Sequence, residues 1–182
     1  MRTIGLYLHI PFCIRKCNYC DFNSYASLEL IPEYLEALKR EISALKDCKY
    51  YITTVYIGGG TPTVLSEEQF FSLFNELHKS ANIARDAEIT VEANPGTLSR
   101  TKLQALRALG VNRLSIGLQA YQNSLLKLLG RIHTAEDFQQ NFLAARDAGF
   151  NNINVDLIFG LPNQKLQDFE ETLEHVLSFS PE

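Results

Sequence analysis

The chain has 182 residues, 46% hydrophobic and 21% charged, with a formal net charge of −4 at neutral pH. That balance describes one globular domain able to bury a sizeable core, and it excludes a disordered or low-complexity chain. Acidic and basic residues are interspersed, so no basic block offers a nucleic-acid footprint, and no apolar run is long enough for a transmembrane segment.

In chain order, the first predicted strand is residues 4–10, IGLYLHI. It runs into Pro11 and a cysteine cluster where a signal peptide requires a small-residue cleavage site, so a cytoplasmic protein is expected. Leu35, Leu38, Ile42 and Leu45 then form a helical stripe, followed by Cys48, an expected bystander, and a strand at 53–58. Ser66 and Gln69 read as a capping box ahead of Phe70, Phe74 and Leu77. A strand at 88–94 precedes a helix that starts at Ser99, carries Leu103, Leu106 and Leu109, and stops at Gly110. After a strand at 112–119 comes a short helix within 121–129, then one from Thr134 through Phe138, Phe142 and Ala145 to Gly149. A last strand at 152–160 leads to a helix marked by Leu166, Phe169, Leu173 and Val176. The chain stops just past that helix, and a fragment of a longer protein is expected.

Repeated strand–helix units imply parallel strands with right-handed crossovers. Side-chain parity then discriminates among parallel folds. Ile4, Leu6, Leu8 and Ile10 oppose Tyr7 and His9; Ile89 and Val91 oppose Thr90, Glu92 and Asn94. Leu114, Ile116 and Leu118 oppose Arg113, Ser115, Gly117 and Gln119, and Ile153, Val155 and Leu157 oppose Asn154 and Asp156. One face is aliphatic and the other polar. A doubly wound sheet needs two apolar faces, and a closed eight-stranded barrel fills its interior with branched aliphatics. A polar inner face fits an open barrel that holds a large polar ligand.

Glu92, Gln119 and Asp156 sit near the C-terminal ends of their strands, as do the run Gly58-Gly59-Gly60-Thr61 and the cysteine loop. Ligands of parallel α/β folds bind at that edge. Taken singly, each residue serves equally well as a cap or a turn; their convergence favours a site. GGGTPT lacks the ending of a P-loop and the spacing of a dinucleotide fingerprint. His9 and His133 read as framework residues, and Arg131 as a grip for a carboxylate.

Cys13, Cys17 and Cys20 fall within eight positions. A structural zinc site takes four ligands, and a zinc-stabilised interaction module remains open only if a fourth donor such as His9 joins them. An iron–sulfur cube takes one thiolate per iron, so three cysteines leave one iron free for a small molecule.

The run YLHIPFC-x3-C-x2-CDF, followed in order by GGGTPT, ExNPG from Glu92, SIGLQ, LGRIH and NVDLIFGLP, resembles the radical S-adenosylmethionine (SAM) superfamily. Within it the chain is most similar to the oxygen-independent coproporphyrinogen III oxidase family. The resemblance implies an α/β open parallel (β/α)6 partial TIM-type barrel, here truncated before the last strand. Residues 1–182 would be its radical SAM core, without the C-terminal domain. It implies a 4Fe–4S cluster on Cys13, Cys17 and Cys20, SAM contacts from Tyr7, Gly59 and Glu92, and one-electron reductive cleavage of SAM. Tyr19, Gly60, Thr61, Gln119, Arg131 and Asp156 match positions that hold a second SAM in the oxidases. Phe22 stands where the oxidase branch has a further cysteine, and Cys13 lies close to the start; both features resemble the haem chaperone branch. That branch implies haem as cargo, haem-accepting respiratory proteins as partners, and no oxidase activity on coproporphyrinogen III. The alternative is the oxidase itself.

Overall fold

The structure, a computed structural model, describes residues 1–182. Five strands form one sheet in sequence order: β1 Arg2–Ile10, β2 Tyr50–Gly59, β3 Ile83–Ala93, β4 Arg113–Gln119 and β5 Ile153–Leu157. Every neighbouring pair is parallel. Six helices fill the crossovers and close the chain: α1 Ile31–Ser43, α2 Glu67–Ser80, α3 Arg100–Ala108, α4 Asn123–Leu128, α5 Ala135–Asp147 and α6 Leu166–Ser178. Right-handed crossovers that always step the same way place the helices on one side of the sheet, which is the winding of a barrel. β1 and β5 do not pair, so the barrel is open, as the parity of the strands predicts.

Most strand boundaries fall within two residues of the predicted ones, and three lie further away. β2 and β3 begin earlier, at Tyr50 and Ile83, because Ile52 pairs with Ile83 ahead of a register shift, an extension that a period-two pattern does not mark. β5 ends earlier, at Leu157, because the Ile158 N–H turns to the Gln119 carbonyl and the chain then bends at Gly160. Leu45 belongs to a separate 3-10 turn, Ala44–Asp47, rather than to α1.

The helix starts follow their sequence signals. Ser66 and Gln69 close a capping box on α2, and Ser99 and Thr134 each accept from the third backbone N–H of their helices. One apolar cluster of 33 buried residues joins the aliphatic faces of the strands to the inner stripes of the helices, with Phe70, Phe74, Phe138 and Phe142 fully enclosed. The last helix departs from this pattern. Of its stripe only Val176 is buried, together with Thr172, while Leu166 and Leu173 face outward because β5 is an edge strand with no further unit against it. No helix is long and apolar enough to cross a membrane.

The register aligns the polar faces in rows across the sheet. Tyr7, Tyr56, Thr90 and Arg113 form one row; Glu92, Ser115 and Asn154 form the next; Gly117 and Asp156 pair beyond them. Each row lies closer to the C-terminal edge, where the loops converge.

Candidate cofactor site at the strand ends

The cysteine loop leaves β1 at Pro11 and is closed on itself at its base. The Cys13 N–H donates to the Tyr25 carbonyl (2.9 Å) and the Tyr25 N–H to the Pro11 carbonyl (2.7 Å). The Asn18 N–H and Nδ2 reach the carbonyls of Leu129 and Leu128, both at 2.9 Å, which ties the middle of the loop to the end of α4. Lys16 Nζ spans the carbonyls of Phe22 and Ser24. A third anchor comes from β2: the Gly60 N–H donates to the Ile10 carbonyl and the Thr61 N–H to the Phe12 carbonyl.

This last contact explains the glycines. A Cβ on Gly60 would stand 2.7 Å from the Phe12 carbonyl oxygen and 3.0 Å from Cys13 Sγ. One on Gly59, whose φ is +120°, would stand 2.5 Å from the His9 ring. The N–H groups of Gly59, Gly60 and Thr61 are spent within the protein, on Glu92 Oε2 and on the carbonyls of Ile10 and Phe12, and the glycines let the cysteine loop approach closely.

Cys13, Cys17 and Cys20 line one cavity of about 400 Å³ together with Tyr19, Gly59, Gly60, Thr61, Glu92, Gln119, Arg131 and Asp156. Six separate chain segments thus meet at one mouth, and the volume is that of a small-molecule site. Tyr7 alone of the predicted set is not in the lining. Its ring stacks on Tyr56, 6.1 Å between centroids, and its hydroxyl lies 2.9 Å from His9 Nδ1. The other His9 nitrogen, Nε2, lies 2.9 Å from the Asn23 carbonyl, so it carries the proton and His9 is a framework residue. Cys48 is exposed on another surface and its thiol meets only the Ala44 carbonyl.

Sequence reasoning passed over Tyr56, Asn94 and Ser115. Tyr56 Oη donates to Glu92 Oε1 at 2.8 Å; burial, then the Glu92 carboxylate, holds its pKa well above the ordinary tyrosine value. Ser115 Oγ donates to Asp156 at 3.0 Å and Asn154 Nδ2 donates to the same carboxylate at 2.6 Å. Their signal was present, since all lie on the polar parity of their strands, but register alone shows that they face the same ligand space. Arg131 is held by the Gly117 carbonyl and Asn94 Oδ1, and its Nη1 reaches Tyr19 Oη at 3.4 Å. Burial outweighs that guanidinium and pushes the Tyr19 phenol up to about 12. Gln119 adopts φ 75°, a left-handed conformation that turns β4 sharply at the rim.

The donor set fits an iron–sulfur cluster. Three thiols carried on one loop line the same cavity, and an iron–sulfur cube takes one thiolate per iron. Arg131 Nε is buried without a protein partner, a donor free for an anionic group of a ligand.

Comparison with known proteins agrees with this geometry. The radical SAM superfamily profile matches residues 7–176. The heme chaperone HemW of Bacillus subtilis is 44% identical over 180 residues, covering 97% of this chain and 48% of that protein. HemW of Escherichia coli is 38% identical over 184 residues, covering 98% of this chain and 48% of its own. Among solved structures, the coproporphyrinogen III oxidase HemN of Escherichia coli, a radical SAM enzyme, superposes with a TM-score of 0.92 at 35% identity, over 99% of this chain and 42% of that one. The chain therefore spans about half the length of the curated relatives it matches. It belongs to the radical SAM superfamily, whose membership implies a 4Fe–4S cluster and SAM.

Proposed function

We propose that residues 1–182 are the radical SAM core of a haem chaperone in the cytoplasm. In this reading Cys13, Cys17 and Cys20 hold a 4Fe–4S cluster, and Tyr7, Gly59 and Glu92 contribute to the binding of the SAM bound to it. Tyr19, Gly60, Thr61, Gln119, Arg131 and Asp156 bind beside them. When present, the cluster and SAM supply one-electron reductive chemistry. The protein's own groups orient and screen: Arg131 offers positive charge to a carboxylate, Glu92 and Asp156 offer acceptors to an ammonium or hydroxyls, and the cysteine loop roofs the mouth. The observation that carries the reading is the convergence of the three cysteines and these polar residues on one cavity. The choice of haem as cargo, and of respiratory haem proteins as recipients, is supported by relatives named heme chaperone at 38–44% identity and by Phe22, which lines the cavity.

Anaerobic reconstitution with iron and sulfide tests the core. A brown protein whose cluster spectrum changes on adding SAM is expected. Cys17→Ser should abolish cluster assembly, because a hydroxyl is a poor ligand for iron–sulfide, while Cys48→Ser leaves iron content unchanged. Loss of the cluster in the Cys48 variant would refute the ligand set.

A second reading, oxidative decarboxylation of coproporphyrinogen III, is favoured by the superposition on the Escherichia coli oxidase. Incubating the full-length protein with coproporphyrinogen III, SAM and a reductant separates the two. Stable haem binding without protoporphyrinogen is the expected outcome, and turnover would overturn the chaperone assignment.

A further inference from the structure

Asn94, just beyond the C-terminal end of β3, has no part in the assignments above, yet its amide bridges two cavity residues. One end meets Arg131 Nη2, and the other lies 2.8 Å from Thr61 Oγ1. A guanidinium only donates, so the Asn94 atom beside Arg131 is its carbonyl oxygen, and the amide nitrogen faces Thr61. Donation from that nitrogen uses the Thr61 oxygen as an acceptor. The single hydroxyl hydrogen is thereby turned to the other neighbour, Cys13 Sγ, 3.6 Å away. On the opposite side, Arg131, fixed by Asn94 and the Gly117 carbonyl, directs Nη1 at Cys17 Sγ, 3.7 Å away. Thr61 is only 3% exposed, so bulk water does not compete for its hydroxyl.

We propose that Asn94 is a positioning residue that, through Thr61 and Arg131, fixes hydrogen bonds onto the Cys13 and Cys17 thiolates and so raises the reduction potential of the cluster they hold. This rests on the reading that these cysteines carry a 4Fe–4S cluster. Reduction adds one electron, supplied by an external one-electron donor, and makes the cluster and its sulfurs more negative. Donors to the sulfurs stabilise the reduced state more than the oxidised one. The polarity of the relay originates at Arg131, the one member that cannot accept.

The test is the midpoint potential of the anaerobically reconstituted protein, from a dithionite titration followed by electron paramagnetic resonance, with iron and sulfide content measured alongside. Thr61→Val, close in shape but lacking the hydroxyl, is expected to have a more negative potential, and Thr61→Ser to keep the parent value. Asn94→Asp still accepts from Arg131 but offers Thr61 a second acceptor, so the hydroxyl turns away from Cys13 and the potential falls. The added charge also lowers it, so the decisive quantity is the difference between backgrounds: Asn94→Asp should shift the potential less in the Thr61→Val protein than in the parent. Thr61→Ala supplies the same background should the valine variant fail to assemble. Equal shifts in both backgrounds, or a serine variant as displaced as the valine one, would overturn the proposal while leaving the cluster intact. A parent protein that assembles no cluster would instead remove the reading beneath it.

Discussion

His133 is only 3% exposed, and neither ring nitrogen completes a hydrogen bond. Burial first, then the nearby Arg131 guanidinium, lowers its pKa from 6.5 to about 4; the Leu118 backbone and Asp137 offset this only in part. The folded state thus keeps the ring neutral where the unfolded chain protonates it. Stability is complete above about pH 6.5, falls as pH drops from 6.5 toward 4, and is level below that, a loss of about 3 kcal/mol. Urea melts at pH 7.5 and 5 should show this slope in the parent and lose most of it in His133→Leu. Gly60 gives a second test at this scale. Gly60→Ala places a methyl 2.7 Å from the Phe12 carbonyl oxygen, so the base of the cysteine loop must move. We expect a cost of about 1–3 kcal/mol in urea melts and reduced iron uptake on reconstitution.

At the scale of elements, what is short in sequence is held by local chemistry, and what is long by packing. The capping box of α2 satisfies two orphan backbone groups through Ser66 and Gln69, neither of which lines the cavity. Ser66→Ala should therefore cost about 1 kcal/mol in thermal or urea unfolding, with iron content unchanged. The cysteine loop has no such internal repeat. It stays in place through Asn18 on the end of α4 and through Gly60 and Thr61 just past β2, contacts between residues far apart in the chain. Its geometry is a property of the assembled sheet edge.

Across the whole molecule, the aliphatic side of the sheet and the inner helix stripes make one continuous core, while the β5–α6 end is left half covered. Leu106, fully buried in α3, and Phe159, 78% exposed after β5, measure that contrast. Leu106→Ala should cost about 2–5 kcal/mol in denaturant unfolding, and Phe159→Ser should stay within about 0.5 kcal/mol of the parent. Comparable losses at both positions would mean that the β5 end is packed in solution.

Much of this was legible in the residues alone. Period-two runs, helix caps and the opposed parities of Glu92, Gln119 and Asp156 against Val91, Leu118 and Val155 determine an open parallel barrel with a polar inside, because side-chain direction along a strand is a local geometric fact. The spacing of Cys13, Cys17 and Cys20 likewise determines that three thiolates share one loop. Only the tertiary structure decided that Tyr7 stacks on Tyr56, that the glycines accommodate the cysteine loop, and that Asn94 joins Thr61 to Arg131. Those relations depend on strand register and on which loops meet at the edge. A shift of one residue in register would send the same side chains to opposite faces.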